Sequence, residues 1–365
     1  MGPSTIGLAV VGYGYWGPNL VRNFSNTEDV KVIAVADRDP RRLASAARAH
    51  PGVETTVDFR ALLQDTRIDA VAIATPVSSH YELALAALKA GKHVLVEKPI
   101  APRSDHVQHL IDEAARADLV LMVDHTFLYT PAVQKIHSLI KAGDLGDVLY
   151  YNSTRASLGL FQSDVSVIWD LAVHDLSIIE HLFPEGPIAV SATGVSHIAG
   201  SPENMAHLTL HFADRCVAHI AVNWLSPVKI RQTLIGGTRK MIVYDDLEST
   251  EKIKVYDKGV TLDSAPDREQ MRIGYRAGDM YAPHLPATEA LHAEAEHFVA
   301  CIREGITPLS DGVSGLRVVE LLEAASFSIA ARGSPIPLNQ LHRRDRKLEL
   351  RKPRGELLPA EGVLQ

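Results

Sequence analysis

Gly12-Tyr13-Gly14-Tyr15-Trp16-Gly17 follows an apolar, β-branched-rich run, Ile6 to Val11, and leads into a helical stretch, Pro18 to Phe24. A buried parallel strand that ends in G-x-G-x-x-G and turns straight into a helix is the opening of a βαβ unit. Each glycine has a physical task there. Gly12 makes the tight turn, Gly14 lets a pyrophosphate approach the backbone, and Gly17 lets helix and strand pack closely. The helix N-terminus then offers its free N–H groups to phosphate. A second strand, Val30 to Ala36, ends in Asp37, twenty residues after Gly17. That is about the spacing of a carboxylate that hydrogen-bonds the adenosine ribose. Asp37 would repel the 2′-phosphate of NADP, with Arg38, Arg41 and Arg42 partly offsetting it, so the pattern points to NAD, with NADP as the alternative.

The strand and helix alternation continues. Arg41 to His50 and Asp58 to Gln64 read as helices, and Ala70 to Ala74 as a strand ending in Thr75-Pro76. Ser79 is a candidate N-cap for a helix through Ala90. A strand at Val94 to Val96, a helix at Asp105 to Ala117 and a strand at Val120 to Val123 complete a doubly wound parallel sheet, predicted to end near Asp124. Beyond a helix at Thr130 to Ala142 the pattern changes to alternating strands: 148–156, 188–197, 206–212, 216–224, 229–236, 240–245 and 252–257. Short turns between consecutive strands predict an antiparallel sheet. Two late helices, 288–304 and 313–331, close the chain. The expected architecture is therefore α/β: a Rossmann domain at 1–124, an α+β domain with a large open antiparallel sheet at 125–340, and a basic tail at 341–365.

Chain length, 365 residues, suits two domains sharing an interface. With 46% hydrophobic and 22% charged residues the composition is that of an ordinary globular protein. A net charge of -7 argues against a general nucleic-acid or anionic-membrane binder. Cys216 and Cys301 are too far apart in sequence for a C-x-x-C pairing, so neither a disulfide framework nor a thiolate metal site is expected. Met1 to Thr5 lack the basic segment and apolar core of a signal peptide, and no apolar run reaches the roughly 20 residues of a bilayer span, so a cytoplasmic location is expected by default. The seven Lys and Arg between Arg343 and Arg354, set against Asp345 and Glu349, suit a solvated or oligomer-wrapping tail better than a nucleic-acid site.

Two further stretches carry chemistry. Val94 to Val96 delivers Glu97-Lys98 onto Pro99, which must stop the strand, so Lys98 lies at a strand's C-terminal end, the edge at which open α/β sheets bind ligands. In Val167 to Ile179, apolar residues at helical spacing mark a buried helix on which Asp170 and His174, four apart, share a face. The carboxylate can orient a hydroxyl or the imidazole, and the imidazole, with an ordinary pKa near ~6.5, can exchange a proton at neutral pH. His181 lies seven residues beyond His174, but without H-E-x-x-H or a cysteine set no metal is expected.

Together, Gly12-x-Gly14-x-x-Gly17, Glu97-Lys98-Pro99 and Asp170-x-x-x-His174 make the chain resemble the glucose-fructose oxidoreductase / inositol dehydrogenase / rhizopine catabolism (Gfo/Idh/MocA) family, over residues from about 5 to 335. The Tyr-Trp-Gly-Pro-Asn-Leu-Val-Arg-Asn and Ile-Trp-Asp-Leu-Ala-x-His-Asp stretches are similar to a branch whose members often oxidise nucleotide-linked sugars, including UDP-N-acetylglucosamine derivatives at C3. Where many members carry Asn after the last strand of the first sheet, this chain has Asp124-His125.

The resemblance implies a hydride transfer between a pyranose carbon and NAD, with Lys98, Asp170 and His174 catalytic. It places Tyr15, Trp16, Asp37, Arg38, Thr75, Pro76, His80, Glu97 and Lys98 on the cofactor, beside Gly12, Gly14 and Gly17. His125, Arg155, Asp170 and His174 would meet the substrate, Arg155 through a carboxylate or phosphate. The alternatives are an inositol, other polyol or dihydrodiol dehydrogenase, an NADP-dependent 3-keto-sugar reductase, or an NAD-binding regulatory protein. The family commonly self-associates through its open sheet, which implies a homodimer or homotetramer.

Overall fold

The computed structural model describes residues 5–159, 165–262 and 273–340. The tail expected at 341–365 lies outside the described residues. Strands β1 (Ile6–Val11), β2 (Val30–Ala36), β3 (Glu54–Thr56), β4 (Ala70–Ile73), β5 (His93–Glu97) and β6 (Leu121–Asp124) form a parallel sheet in the order β3-β2-β1-β4-β5-β6. The order reverses between β1 and β4, which opens a crevice at the strands' C-terminal ends. Helices α1 (Gly17–Asn26), α2 (Pro40–Ala49), α3 (Phe59–Gln64), α4 (His80–Lys89) and α5 (Ser104–Ala117) alternate with these strands. The strands read as unbroken apolar runs because both faces are covered. Val11, Val71 and Val96 pack with Leu88 of α4 and Leu110 of α5, while Leu8, Val10 and Leu95 pack on the side of Leu20 and Phe24 of α1.

The glycine turn is as tight as its spacing implies. Gly12 has φ +94°, and a Cβ on Gly17 would sit 2.1 Å from the Gly12 carbonyl oxygen. The three-residue β3 escapes the sequence pattern because it has no apolar run: it is an edge strand on β2. Ser79 does not cap α4. A 3₁₀ turn, Val77–Ser79, comes first, and the Ser79 hydroxyl is engaged with Thr75 Oγ1 and the Pro76 carbonyl, each at 2.8 Å.

After helix α6 (Pro131–Lys141) come β7 (Val148–Leu158), α7 (Val173–Leu182), β8 (Ala189–Val195), β9 (Met205–His211), β10 (Val217–Asn223), β11 (Leu225–Gly237), β12 (Met241–Asp245), β13 (Ile253–Tyr256), β14 (Gly259–Leu262), β15 (Ile273–Arg276) and β16 (Met280–Tyr281). Helices α8 (Ala290–Glu304) and α9 (Gly312–Ala330) and strand β17 (Ile336–Pro337) end the described chain. Nine strands make one sheet, β16-β13-β12-β11-β7-β10-β9-β8-β17, and β14 pairs with β15 apart from it. The sheet is mixed, not wholly antiparallel as expected. The chain crosses from β7 through α7, folds the β8-β9-β10 meander, and so brings β10 back parallel to β7, while β11 returns antiparallel on β7's other side.

Buried Ala206, Leu208 and Leu210 alternate with His207, Thr209 and His211 along β9, so one sheet face is core and the other faces outward. The late helices tie the two sheets together. Phe298 of α8 meets Phe24 of α1 edge to face at 6.1 Å, and Ser310, just before α9, bonds both the N–H and the carbonyl of Val123 in β6 at 2.8 and 2.7 Å. No helix among the described residues is long and apolar enough to cross a membrane.

Gly17→Ala is expected to cost roughly 1–3 kcal/mol of stability, because the added methyl must displace α1 from the β1 turn. Thermal unfolding and an NADH fluorescence titration would check this; wild-type values for both would contradict the close contact.

Candidate active site

A crevice of about 900 Å³ crosses the C-terminal ends of β1, β2, β4 and β5. At one end stands Asp37, just after β2. Its Oδ2 accepts the Tyr13 N–H at 2.7 Å, its Oδ1 accepts the Asp39 N–H at 2.8 Å, and Arg42 Nη1 lies 3.5 Å from Oδ2. Asp37 thus braces the glycine turn while lining the crevice beside Arg38. At Gly14 a Cβ would meet nothing closer than Arg42 Nη1 at 3.5 Å, so a phosphate can come against the bare backbone there. Tyr15, 86% exposed, and Trp16 stack over the same opening with ring centroids 6.1 Å apart. These features fit a dinucleotide: ribose at Asp37, pyrophosphate on the Gly14 turn, and the remaining half towards β4 and β5.

Thr75 and Pro76 form the wall after β4. His80 also lines it, yet both ring nitrogens are engaged by backbone carbonyls: Nδ1 with Pro99 at 2.9 Å and Nε2 with Thr75 at 2.7 Å. Burial lowers its pKa, with the two carbonyls pulling the other way. A neutral imidazole can donate to only one of them. His80 therefore braces the two loops against each other.

Lys98 follows β5 and lines the crevice, joined to Pro99 by a cis peptide bond. Its ammonium reaches the other sheet's side of the crevice, donating to the Asp170 carbonyl at 2.8 Å and to Asp170 Oδ1 at 3.1 Å. Asp170 Oδ2 accepts from Trp224 Nε1 at 3.2 Å, so the carboxylate is held from both sides. Here the expected regular helix gives way to a π-turn, Ile168–Ala172, which runs into α7. Single π-turns of this kind are frequent at functional sites.

His174, one turn on, packs against Phe127 with ring centroids 4.9 Å apart, and its Nδ1 is enclosed without a protein partner. Burial pushes its pKa well below the ordinary histidine value, and the charges of Lys98, Arg155 and Arg231 push the same way. The imidazole is neutral at physiological pH.

Two expected substrate residues are placed otherwise. Arg155 is buried: its Nε donates to Asp175 Oδ2 at 2.9 Å, and its guanidinium lies 4.4 Å over the Phe127 ring. Paired with a buried carboxylate, it supports Phe127 and His174 from behind, while its Nη1 is enclosed without a protein partner. His125 is 1% exposed, both its ring nitrogens lack partners, and burial lowers its pKa to about 4. It lies behind the crevice wall. His181, the remote metal candidate, stacks on His137 at 4.4 Å.

Sequence reasoning missed Trp224, Phe127, Asp124 and Glu294. The signal for Glu294 was present, because a carboxylate flanked at helical spacing by Leu291 and Phe298 sits on an apolar face. The Trp224 and Phe127 contacts join distant segments and left no local mark.

Comparison with known proteins gives the family. The family profile described as "Oxidoreductase family, NAD-binding Rossmann fold" matches residues 6–125, and that of the family's "C-terminal alpha/beta domain" matches residues 137–338. UDP-N-acetylglucosamine 3-dehydrogenase of Acidithiobacillus ferrooxidans is 29% identical, with 85% of this chain and 93% of that protein aligned. A solved structure of that enzyme superposes with a TM-score of 0.75 at 27% identity, covering 89% of this chain and 98% of that one. D-apiose dehydrogenase of Paraburkholderia graminis is 26% identical over 91% of this chain and 90% of its own. The cofactor is NAD.

NADH is expected to bind at least about tenfold more tightly than NADPH, and Asp37→Ser to narrow that ratio; fluorescence titration with both nucleotides reads it. Arg155→Ala is expected to lower the unfolding free energy by roughly 3–5 kcal/mol, because it leaves Asp175 buried and unpaired. Denaturant unfolding checks this, and an unchanged midpoint would contradict the buried pairing.

Proposed function

This chain belongs to the Gfo/Idh/MocA family of NAD-binding oxidoreductases, and on that premise we propose that it exchanges a hydride between NAD and C3 of a nucleotide-linked pyranose. The observation that carries the proposal is Lys98, fixed at the end of β5 by the backbone and carboxylate of Asp170 and aimed across the crevice, with the neutral imidazole of His174 one turn further on.

Oxidising an alcohol requires a proton to leave oxygen while hydride leaves carbon. NAD, when bound, supplies the hydride acceptor. His174, uncharged, takes the hydroxyl proton. Lys98 stabilises the negative charge that builds on the oxygen, and Asp170, itself held by Trp224, orients both Lys98 and the sugar. In the reverse direction His174 returns the proton to the carbonyl oxygen.

The nucleotide-linked substrate is supported by the likeness to UDP-N-acetylglucosamine 3-dehydrogenase over most of both chains. A free monosaccharide is the second reading, favoured by the equally extensive likeness to D-apiose dehydrogenase. NAD reduction measured with UDP-hexoses, free aldoses and inositols separates them: turnover of free sugars alone would overturn the first.

Lys98→Ala and His174→Ala are each expected to lower kcat/KM by about 10²- to 10⁴-fold while NADH still binds. Because the His174 pKa lies below the usual value, its neutral form persists as pH falls. Sugar oxidation should therefore hold through pH ~6.5 and decline only at more acid values. An acid limb at or above pH ~6.5 that survives in His174→Ala would remove His174 from the role of base.

A further inference from the structure

From the crevice wall inward runs a row of three carboxyl groups that the mechanism above does not use. Glu97 and Asp124 end the neighbouring parallel strands β5 and β6 and are paired in register. Glu294, on α8, is fully buried and closes the row from the other side. Asp124 is the acceptor at its centre: Oδ2 takes the Trp16 indole N–H at 3.1 Å, and Oδ1 takes the Thr126 hydroxyl. Glu97 Oε2 accepts the backbone N–H of Lys98 at 3.2 Å, while Glu97 Oε1 and both oxygens of Glu294 are enclosed with no donor from the protein.

Glu97 stands in register with Asp124 across β5 and β6, and the Asp124 carboxylate acts on both Glu97 and Glu294. Two carboxyl groups can share a hydrogen bond only if one of them carries a proton. Asp124 already accepts from two donors, whereas Glu97 Oε1 and both oxygens of Glu294 are enclosed with none, so these two are the members of the row whose geometry favours holding a proton. Burial first, and the Asp124 charge second, hold both glutamic acids well above the ordinary carboxylate range.

The surroundings do little to offset the charge. The Lys98 ammonium is the cation facing Glu97, and it is directed at Asp170. His125 beside Asp124 is neutral, and the Tyr129 hydroxyl near Glu294 is paired with Ser310 at 3.0 Å.

Glu97 is the one member of the row that also lines the crevice. With the adenosine ribose at Asp37 and the pyrophosphate on the Gly14 turn, the nicotinamide half is left for the ends of β4 and β5, where Glu97 and Lys98 stand. The nicotinamide ring is positively charged in NAD⁺ and neutral in NADH. A carboxyl group held neutral by a buried anion next to it responds to a new cation by ionising.

We propose that Glu97 distinguishes the two cofactor states: it loses its proton to solvent when NAD⁺ binds and keeps it when NADH binds. The Glu97 O–H bond breaks, the proton leaves through the crevice, and no electrons move. When sugar oxidation removes the ring's positive charge, Glu97 takes up one proton, matching the one given up by the substrate hydroxyl. The inference rests on the NAD assignment and not on the identity of the sugar.

Calorimetric titration of the purified full chain with NAD⁺ and with NADH, without sugar, in two buffers of different ionisation enthalpy, counts the protons released. NADH controls for the shared adenosine and pyrophosphate. Between pH 6 and 8, NAD⁺ affinity is expected to rise several-fold per pH unit, approaching tenfold for one whole proton, and NADH affinity to change less than about twofold. Glu97→Gln should abolish the NAD⁺-specific release, counted per nucleotide bound. Glu294→Gln, which keeps a neutral donor facing Asp124, should retain it. Equal proton counts for NAD⁺ and NADH in the unmodified chain would overturn the proposal without any variant, as would an NAD⁺-specific release that survives Glu97→Gln or vanishes in Glu294→Gln. Failure of both nucleotides to bind would instead remove the NAD assignment and this inference together.

Discussion

The contact between Lys98 and Asp170 is the interaction on which the site depends. Lys98 belongs to the parallel sheet and Asp170 to the π-turn that precedes α7 over the mixed sheet, seventy-two residues later. Neither residue has a functional geometry within its own segment. Once Nζ meets both the carbonyl and the carboxylate of Asp170, the end of β5, the π-turn and Trp224 become one polar unit, and the crevice acquires a charged wall. The α8 and α9 packing against α1 and β6 makes this possible, because it fixes the two sheets against each other. The pair is partly exposed, so its importance lies in orientation more than in net stabilisation.

Around this unit the protein sorts its titratable groups by environment. On the side of the mixed sheet, His174 is enclosed near three cations and its pKa is held well below the ordinary histidine value; on the side of the parallel sheet, Glu97 and Glu294 are enclosed beside Asp124 and held well above the ordinary carboxylate range. Burial disfavours charge in each case, and the neighbouring charge acts in the same direction. Groups held neutral against their usual habit are those that can take or give a proton when a reaction changes the local charge. The Arg155–Asp175 pair behind Phe127 supports this arrangement, holding the guanidinium over the ring that packs on His174.

Much of the fold was legible because its signals are local. The apolar runs of β1 and β2, the three glycines and Asp37 each report a constraint that operates within a few residues: a buried strand, a turn requiring positive φ, a helix start and a strand end. Lys98 was found for the same reason, as Pro99 must end its strand. Asp170 and His174 were found by helical spacing, although the actual turn is wider. What failed was local inference carried into tertiary questions. Ser79 looks like a cap yet serves the Thr75 turn, and the parallel pairing of β7 with β10 depends on where a meander is inserted, which no turn records.

The sequence by itself determined a dinucleotide-binding α/β chain with a lysine at a strand end and an aspartate and histidine near one helical face, because strand period, glycine geometry and proline stops are properties of short segments. Only the tertiary structure decided which side chains are free to act. Arg155 is paired with Asp175 behind Phe127, whereas Asp124 and Glu294 are unremarkable acids until separate elements bring them beside Glu97 away from water. Charge state depends on burial and on neighbours distant in the chain, and both come into being only when the sheets are packed.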